Sequence, residues 1–307
     1  MPFQNQTLRG SAAIIFACLL WGTTGTAASF TPNVSPLASG AFAMGLGGIL
    51  LVLTSLKALK IDSLKLLTHY KLLLVGGLSV AVYPLAFYSS MSLSGVAIGT
   101  VISLASAPFF TVLLECLISK KLISTKWIIS FAIGAMGIVL LSMGKVDDIQ
   151  QQTQTMHHYF GMLLGLLAGL SYALYSWAAK CMISENIQSK SAMAAMFGLA
   201  ALILLPSLAL TGDNLFASTS NTMIALYMAI IPMFLGYVLF GYGLNFVEAS
   251  QATLLTLLEP ALATVLAVLI VGEKFSAIGW FGIALILMCL MIQMTNKSAI
   301  PLPQAAN

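Results

Sequence analysis

The sequence predicts an all-α integral membrane protein with ten transmembrane helices arranged as a 5+5 inverted repeat. Three observations carry that expectation. Hydrophobic residues fill 59% of the 307 positions and charged residues only 7%, whereas a water-facing surface needs about 25% charged residues. Apolar runs of spanning length, about 20 residues each, follow one another with short loops and leave no room for a sizeable soluble domain. The basic residues also fall on alternate loops, as an orientation signal requires.

The runs extend over Ser11–Phe30, Pro36–Leu56, Leu72–Ser90, Gly95–Ile118, Trp127–Met143, Tyr159–Ile183, Ala192–Leu210, Met223–Phe240, Ala249–Val271 and Ala277–Met294. Each is bounded by Pro, Gly or charge. Backbone polar groups in hydrocarbon must be satisfied within the segment, which a single apolar run achieves only as a helix. The first run is long enough to span and has no short apolar core followed by a small-residue cleavage site, so it reads as a retained helix.

With the N-terminus in the cytoplasm, Arg9, Lys57, Lys60, Lys65, Lys71, Lys120, Lys121, Lys126, Lys180, Lys190 and Lys297 share one side, and only Lys145 and Lys274 fall outside. That 11 to 2 split predicts that both termini are cytoplasmic. Asp147, Asp148, Asp213 and Glu273 lie on the outer side, where acids carry little topological weight. The net charge of +4 is therefore an orientation signal, and a nucleic-acid partner is excluded. Cys18, Cys116, Cys181 and Cys289 lie in or at the ends of apolar runs without metal-site or disulfide spacing, and read as reduced packing residues.

Five helices per half is an odd number, so a duplicated half must insert upside down the second time. A shift of 152 positions places Ala97 on Ala249, Pro108 on Pro260, Leu114 on Leu266, Leu117 on Leu269, Ile118 on Ile270 and Ser124 on Ser276. Nearby shifts place Trp127 on Trp280, Pro84 on Pro232, and Trp21-Gly22 on Tyr172-Ala173. The expected division is a first repeat over 1–146, an external loop over 147–158, a second repeat over 159–297 and a cytoplasmic tail over 298–307.

Four short segments carry a resemblance: Leu20-Trp21-Gly22-Thr23, Glu259-Pro260, Gly272-Glu273-Lys274, and Trp280 opening the last run. Together they resemble the EamA type of the drug/metabolite transporter superfamily, one unit per half over essentially the whole chain. The resemblance implies a ten-helix inverted-repeat carrier of small organic metabolites, commonly amino acids and related compounds, often moved outward across a bacterial inner membrane, which is the expected location. One departure is Lys120-Lys121, which stands where the first half should carry the family's Gly-Glu. That end of the fourth run faces the cytoplasm, so the change obeys the charge rule, but the two halves cannot use a glutamate there symmetrically.

Glu259 is the clearest ionisable group near mid-membrane, and such a group is a functional-site hypothesis by default because burying an isolated carboxylate is costly. It can bind a substrate amine or carry a proton; the structural alternative is a hydrogen-bonded acid that satisfies a carbonyl freed by Pro260. Thr253, Thr256, Pro260 and Thr264 form a polar stripe at helical spacing with Glu259 at its rim. Glu115, near Lys120 and Lys121, reads as an interfacial charge reaching toward water.

Paired prolines, Pro84 with Pro232 and Pro108 with Pro260, interrupt corresponding helices and point to a site between the repeats, or to simple packing kinks. Trp21, Tyr83, Tyr88, Tyr172, Tyr175 and Tyr237 are the candidate aromatic lining, since a ring offers an apolar face and a π cloud for cations. Trp127 and Trp280 read as interface anchors. Small residues every fourth position, Gly95, Gly99, Ser103 and Ala107, and Gly161, Gly165, Gly169 and Ala173, read as close helix packing or as a dimer face. Ser103 also stands as a candidate cavity residue.

His157 and His158 belong to the external loop, with no metal geometry implied. Neither an ATP-binding loop nor a zinc or nucleophile motif occurs, so the expectation is no cofactor, no metal, no enzyme activity and no ATPase partner, with movement driven by a gradient. The rival readings are an importer of a cofactor-like metabolite, a multidrug exporter, and a membrane scaffold or assembly protein. The expected partners are a small-molecule metabolite and the lipid bilayer, with the chain a monomer or homodimer.

Overall fold

The computed structural model describes residues 2–144, 155–272 and 274–294. Among them ten helices are long and apolar enough to cross a membrane: α1 (Gln6–Ser29), α2 (Pro36–Thr54), α3 (Tyr70–Ser94), α4 (Ile98–Leu117), α5 (Thr125–Met143), α6 (Met156–Ser184), α7 (Ser189–Thr211), α8 (Thr219–Leu244), α9 (Ala249–Val271) and α10 (Ala277–Met294). The shortest has 18 residues, about 27 Å at 1.5 Å per residue, which matches the hydrocarbon thickness. The all-α, ten-span expectation holds. Lys145, Asp147, Asp148, Glu273 and Lys297 lie outside the described residues, as do 147–154 of the expected loop and the tail.

The ends differ from expectation where polar residues continue a helix past the apolar core. Residues 156–158, expected as loop, form the first turn of α6. Between α2 and α3 a further 13-residue helix, Leu56–Thr68, occupies a stretch expected to be a loop. Its lysines lower the hydropathy, but Ala58, Asp62 and Leu66 recur every fourth residue and are the buried stripe. Asp62 Oδ2 accepts from Gln188 N at 3.0 Å and from Ser191 Oγ at 2.7 Å, so this helix supplies the carboxylate that caps the start of α7.

The most extensive helix interfaces are α3 with α6, α2 with α7, α5 with α10, and α4 with α6, followed by α1 with α8 and α9, α2 with α8, and α3 with α7. Adding or subtracting five in each index maps α3–α6 onto α8–α1 and α4–α6 onto α9–α1, and maps α2–α7 and α5–α10 onto themselves. Gly161, Gly165 and Gly169 of α6 face this packing: a Cβ there would lie within 3 Å of Ser94, Ser90 and Ser106 respectively. The small-residue row therefore brings α6 against α3 and α4 inside the bundle. All four cysteines are free thiols.

Ten alternating spans give the molecule two faces. The face that carries the N-terminus also carries the ends of α2, α4, α6 and α8 and the starts of α3, α5, α7 and α9. Of the 11 basic residues expected on this side, the ten described ones all lie there.

Candidate functional site

Two of the spans that hold the site are broken. In α9, a helix over Ala249–Leu255 stops, a second starts at Leu258, and the last turns are π-helical over Ala267–Val271. Pro260 has no N–H, so a continuous helix would leave the Thr256 carbonyl without its usual donor. The Glu259 backbone N–H fills that role, donating to Thr256 O at 3.0 Å. The carboxyl of Glu259 is thus not needed to satisfy the kink, which corrects the structural alternative drawn from sequence. It sits instead in the first turn of the helix Leu258–Leu266, where the unpaired N–H groups favour a negative charge.

α8 carries Pro232 within a π-helical segment, Ala229–Leu235. The Pro232 carbonyl accepts from Trp21 Nε1 at 2.9 Å, which ties α1 to the irregular turn. Gly236 lies one turn on; a Cβ there would lie 2.5 Å from Trp21 Nε1, so only glycine admits the indole at this place.

These irregular turns face one central cavity. It holds about 540 Å³ of empty space including its mouth, and it is lined by Trp21, Thr24, Gly40, Met44, Tyr83, Pro84, Phe87, Tyr88, Tyr172, Tyr175, Met233, Tyr237 and Glu259. The aromatic walls are continuous: Trp21–Tyr237 centroids are 4.9 Å apart, Tyr172–Tyr175 5.0 Å, Tyr83–Tyr172 5.4 Å and Phe87–Tyr88 5.4 Å. The Tyr175 and Tyr237 hydroxyls bond each other at 3.2 Å. Gly40 lets the Tyr88 ring lie against α2, since a Cβ there would meet that ring at 2.4 Å.

Glu259 and the aromatics Trp21, Tyr83, Tyr88, Tyr172, Tyr175 and Tyr237 come together as one lining. Pro84 lines it, Pro232 and Pro260 shape the turns beside it, and Pro108 lies within α4 away from it. Ser103 and Thr256 do not line it. Ser103 is fully buried where α4 meets α6, and Thr256 Oγ1 donates to the Thr253 carbonyl at 2.8 Å, behind the lining residue Tyr172. Thr24, Gly40, Met44, Phe87 and Met233 were missed. Helical spacing could have found three of them, because Thr24, Phe87 and Met233 stand three or four residues from Trp21, Tyr83 and Tyr237.

The lining stations lie from mid-span toward the face opposite the N-terminus: Gly40 is near the start of α2, Thr24 near the end of α1 and Tyr88 near the end of α3. A second, more apolar groove lies nearer the N-terminal face, among Leu51, Thr54, Lys190, Met193, Phe234 and Val238, and Tyr237 borders both spaces.

Below the central cavity, toward the N-terminal face, polar contacts join the two halves of the chain. Glu115 is 4% exposed and its Oε1 accepts from Ser250 N at 3.1 Å, capping α9 from α4. It is therefore a buried structural acid, which corrects the reading of an interfacial charge. Lys121 pairs with Glu248. Trp127 is also buried; its Nε1 donates to Ser250 O at 3.3 Å while its ring stacks on Phe131 at 5.1 Å, so it packs within the bundle rather than anchoring at the interface. Trp280, 44% exposed, keeps the character of an anchor. Among the described residues no cluster of three or more His, Cys, Asp or Glu can hold a metal ion.

Ten helices long and apolar enough to cross a membrane, packed around an aromatic-lined central cavity, describe a multi-pass membrane protein. The comparisons with known proteins give the family. The model of the EamA-like transporter family matches residues 8–143 and again 159–295. An uncharacterized transporter of Bacillus subtilis, YwfM, is 30% identical over 285 residues, covering 92% of either chain. An uncharacterized inner membrane transporter of Salmonella typhimurium, YicL, is 24% identical over 305 residues, covering 94% of this chain and 96% of its own length. A crystal structure of a protein superposes with a TM-score of 0.76 at 17% identity over 92% of this chain and 95% of that one, a likeness of fold. The chain belongs to the EamA-like transporter family. That is a family of transporters, which points away from an enzyme.

Proposed function

We propose that the protein is a secondary carrier that exports small amino-bearing organic metabolites, the group that includes amino acids and their relatives, across a bacterial inner membrane by alternating access. The carrying observation is Glu259, the sole charged side chain among the described residues that line the central cavity, set among aromatic faces. A carboxylate at that place gives an amine its charge partner, and the rings give an apolar body its contact area. The outward direction rests on the family resemblance in the motifs. Cytoplasmic termini rest on the basic residues of the N-terminal face.

The helix pairing that repeats on adding five to each index, and the two successive family matches, support a 5+5 inverted repeat divided near residues 147–158. In this reading the two halves rock about the cavity. Glu259 also serves as the proton carrier: it binds the amine or a proton in turn, so that proton entry releases substrate. The test is flux in liposomes of purified protein. Glu259→Gln removes the charge but keeps the shape, and it is expected to abolish saturable transport while the protein still expresses and folds. Collapsing the proton gradient with a protonophore is expected to reduce wild-type transport to the downhill rate. Wild-type transport by the Gln variant would refute the assignment.

A further inference from the structure

The lining of the central cavity also constrains which amino-bearing compounds fit. A free amino acid brings two charges, an ammonium and a carboxylate, and a buried charge must be paired. Glu259 serves the first, but among the described residues no Lys, Arg or His lines the cavity to serve the second.

The donors that remain are poor substitutes. Trp21 Nε1 is committed to the Pro232 carbonyl and the Tyr175 and Tyr237 hydroxyls to each other; the Tyr83, Tyr88 and Tyr172 hydroxyls remain in the lining, and as neutral groups they can hydrogen-bond a carboxylate but cannot balance its charge. The cation nearest along α6, Lys180, stands five residues beyond Tyr175, about 7.5 Å along the axis, and its Nζ donates to the Leu244 carbonyl at 2.9 Å. A substrate carboxylate would therefore lie against Glu259 and against ring faces, which carry partial negative charge. Both repel it. A cation meets the opposite situation, attracted by the carboxylate and by the same ring faces.

From this we infer that the substrate is an organic cation without a free carboxylate: a protonated amine, or an amino-acid amide or ester, with an aromatic or aliphatic body that fills the box of rings. The inference rests on the carrier reading and narrows it. Glu259 supplies the one counter-charge, and the substrate brings the one charge it balances.

Matched probes test it: tyramine, tyrosinamide and tyrosine, and tryptamine with tryptophan, each measured for saturable uptake into liposomes holding the full chain. Tyramine, tyrosinamide and tryptamine are expected to move at least tenfold faster than the matched free amino acids and to compete with one another. Their uptake is expected to vanish in Glu259→Gln, whose folding is checked by circular dichroism. Equal or faster transport of tyrosine or tryptophan would overturn the substrate class and leave the carrier reading standing. Absence of saturable flux for every probe, charged or zwitterionic, from protein of native helical content would overturn both.

Discussion

The two faces of the molecule are built differently. On the N-terminal side the halves of the chain are joined by a carboxylate cap from Glu115 to Ser250, an ion pair between Lys121 and Glu248, an indole bond from Trp127 to Ser250 O, and the cap from Asp62 to α7. On the opposite side the bonds between halves are fewer among the described residues: Tyr227 to Thr23 at 2.8 Å, Asn214 to the Asn33 carbonyl at 3.2 Å, and Ser276 N to the Gly144 carbonyl at 3.0 Å. The cavity lies on the sparsely joined side. Polar bonds in a bundle are directional and break in discrete steps, whereas apolar helix contacts slide. Under the alternating-access proposal, the difference assigns this arrangement as the one closed toward the N-terminal face, and names the contacts that would part for the other arrangement to form.

The largest effect on that difference is expected from Glu115→Ala. It leaves the Ser250 N–H buried without an acceptor, a loss of about 1–3 kcal/mol, which is roughly a 5–150-fold shift between two arrangements. Cys18 reports it. This thiol is fully buried with its Sγ 3.8 Å from the Leu255 carbonyl, just before the break in α9. In a background with the other three cysteines replaced, Cys18 is expected to react with a maleimide much faster in Glu115→Ala than in the parent, while Glu115→Gln, which keeps an acceptor oxygen, stays close to it. Equal rates in all three would show that the cap does not hold this face shut.

Gly40→Ala acts on the open side. The added Cβ would lie 2.4 Å from the Tyr88 ring, and overpacking of that kind costs about 1–3 kcal/mol. The ring must rotate into the cavity, so apparent substrate affinity is expected to fall about tenfold with Cys18 reactivity unchanged. A change in Cys18 rather than in affinity would couple the two faces more tightly than their separate bonding implies.

How much of this was legible in the sequence follows from the range over which each signal acts. Spans are local averages, so all ten were readable, with α9 and α10 matching residue for residue. Glu259 and the tyrosines were readable because an acid and paired prolines are rare in apolar runs. The cap from Glu115 was not, because its acceptor and donor are 135 positions apart and the nearer lysines gave a plausible local partner. Trp127 opened a helix as an anchor would, and what buries it is packing from other parts of the bundle, including the Ser250 carbonyl 123 positions away. The helix Leu56–Thr68 was hidden by its lysines, although its four-residue stripe was on the page. Ser103 and Thr256 show the remaining limit: helical phase gives a polar face, but a neighbouring helix decides whether that face meets a cavity or another backbone.

Smaller effects come from the exposed bonds, and they separate charge from shape. Lys121 and Glu248 are 40% and 44% exposed, so water and salt screen the pair and it is worth only about 0–1 kcal/mol. Lys121→Gln is expected to raise Cys18 reactivity by no more than about fivefold, less at high ionic strength, and the exchange Lys121→Glu with Glu248→Lys is expected to restore the parent rate. Tyr227→Phe should do least. It removes one exposed hydroxyl bond to Thr23 on the side that already opens, where water replaces the lost partner, so both Cys18 reactivity and substrate affinity are expected within about twofold of the parent. A large effect of Tyr227→Phe, equal to that of Glu115→Ala, would mean that the two faces are latched alike, and the assignment of a closed and an open side would fail.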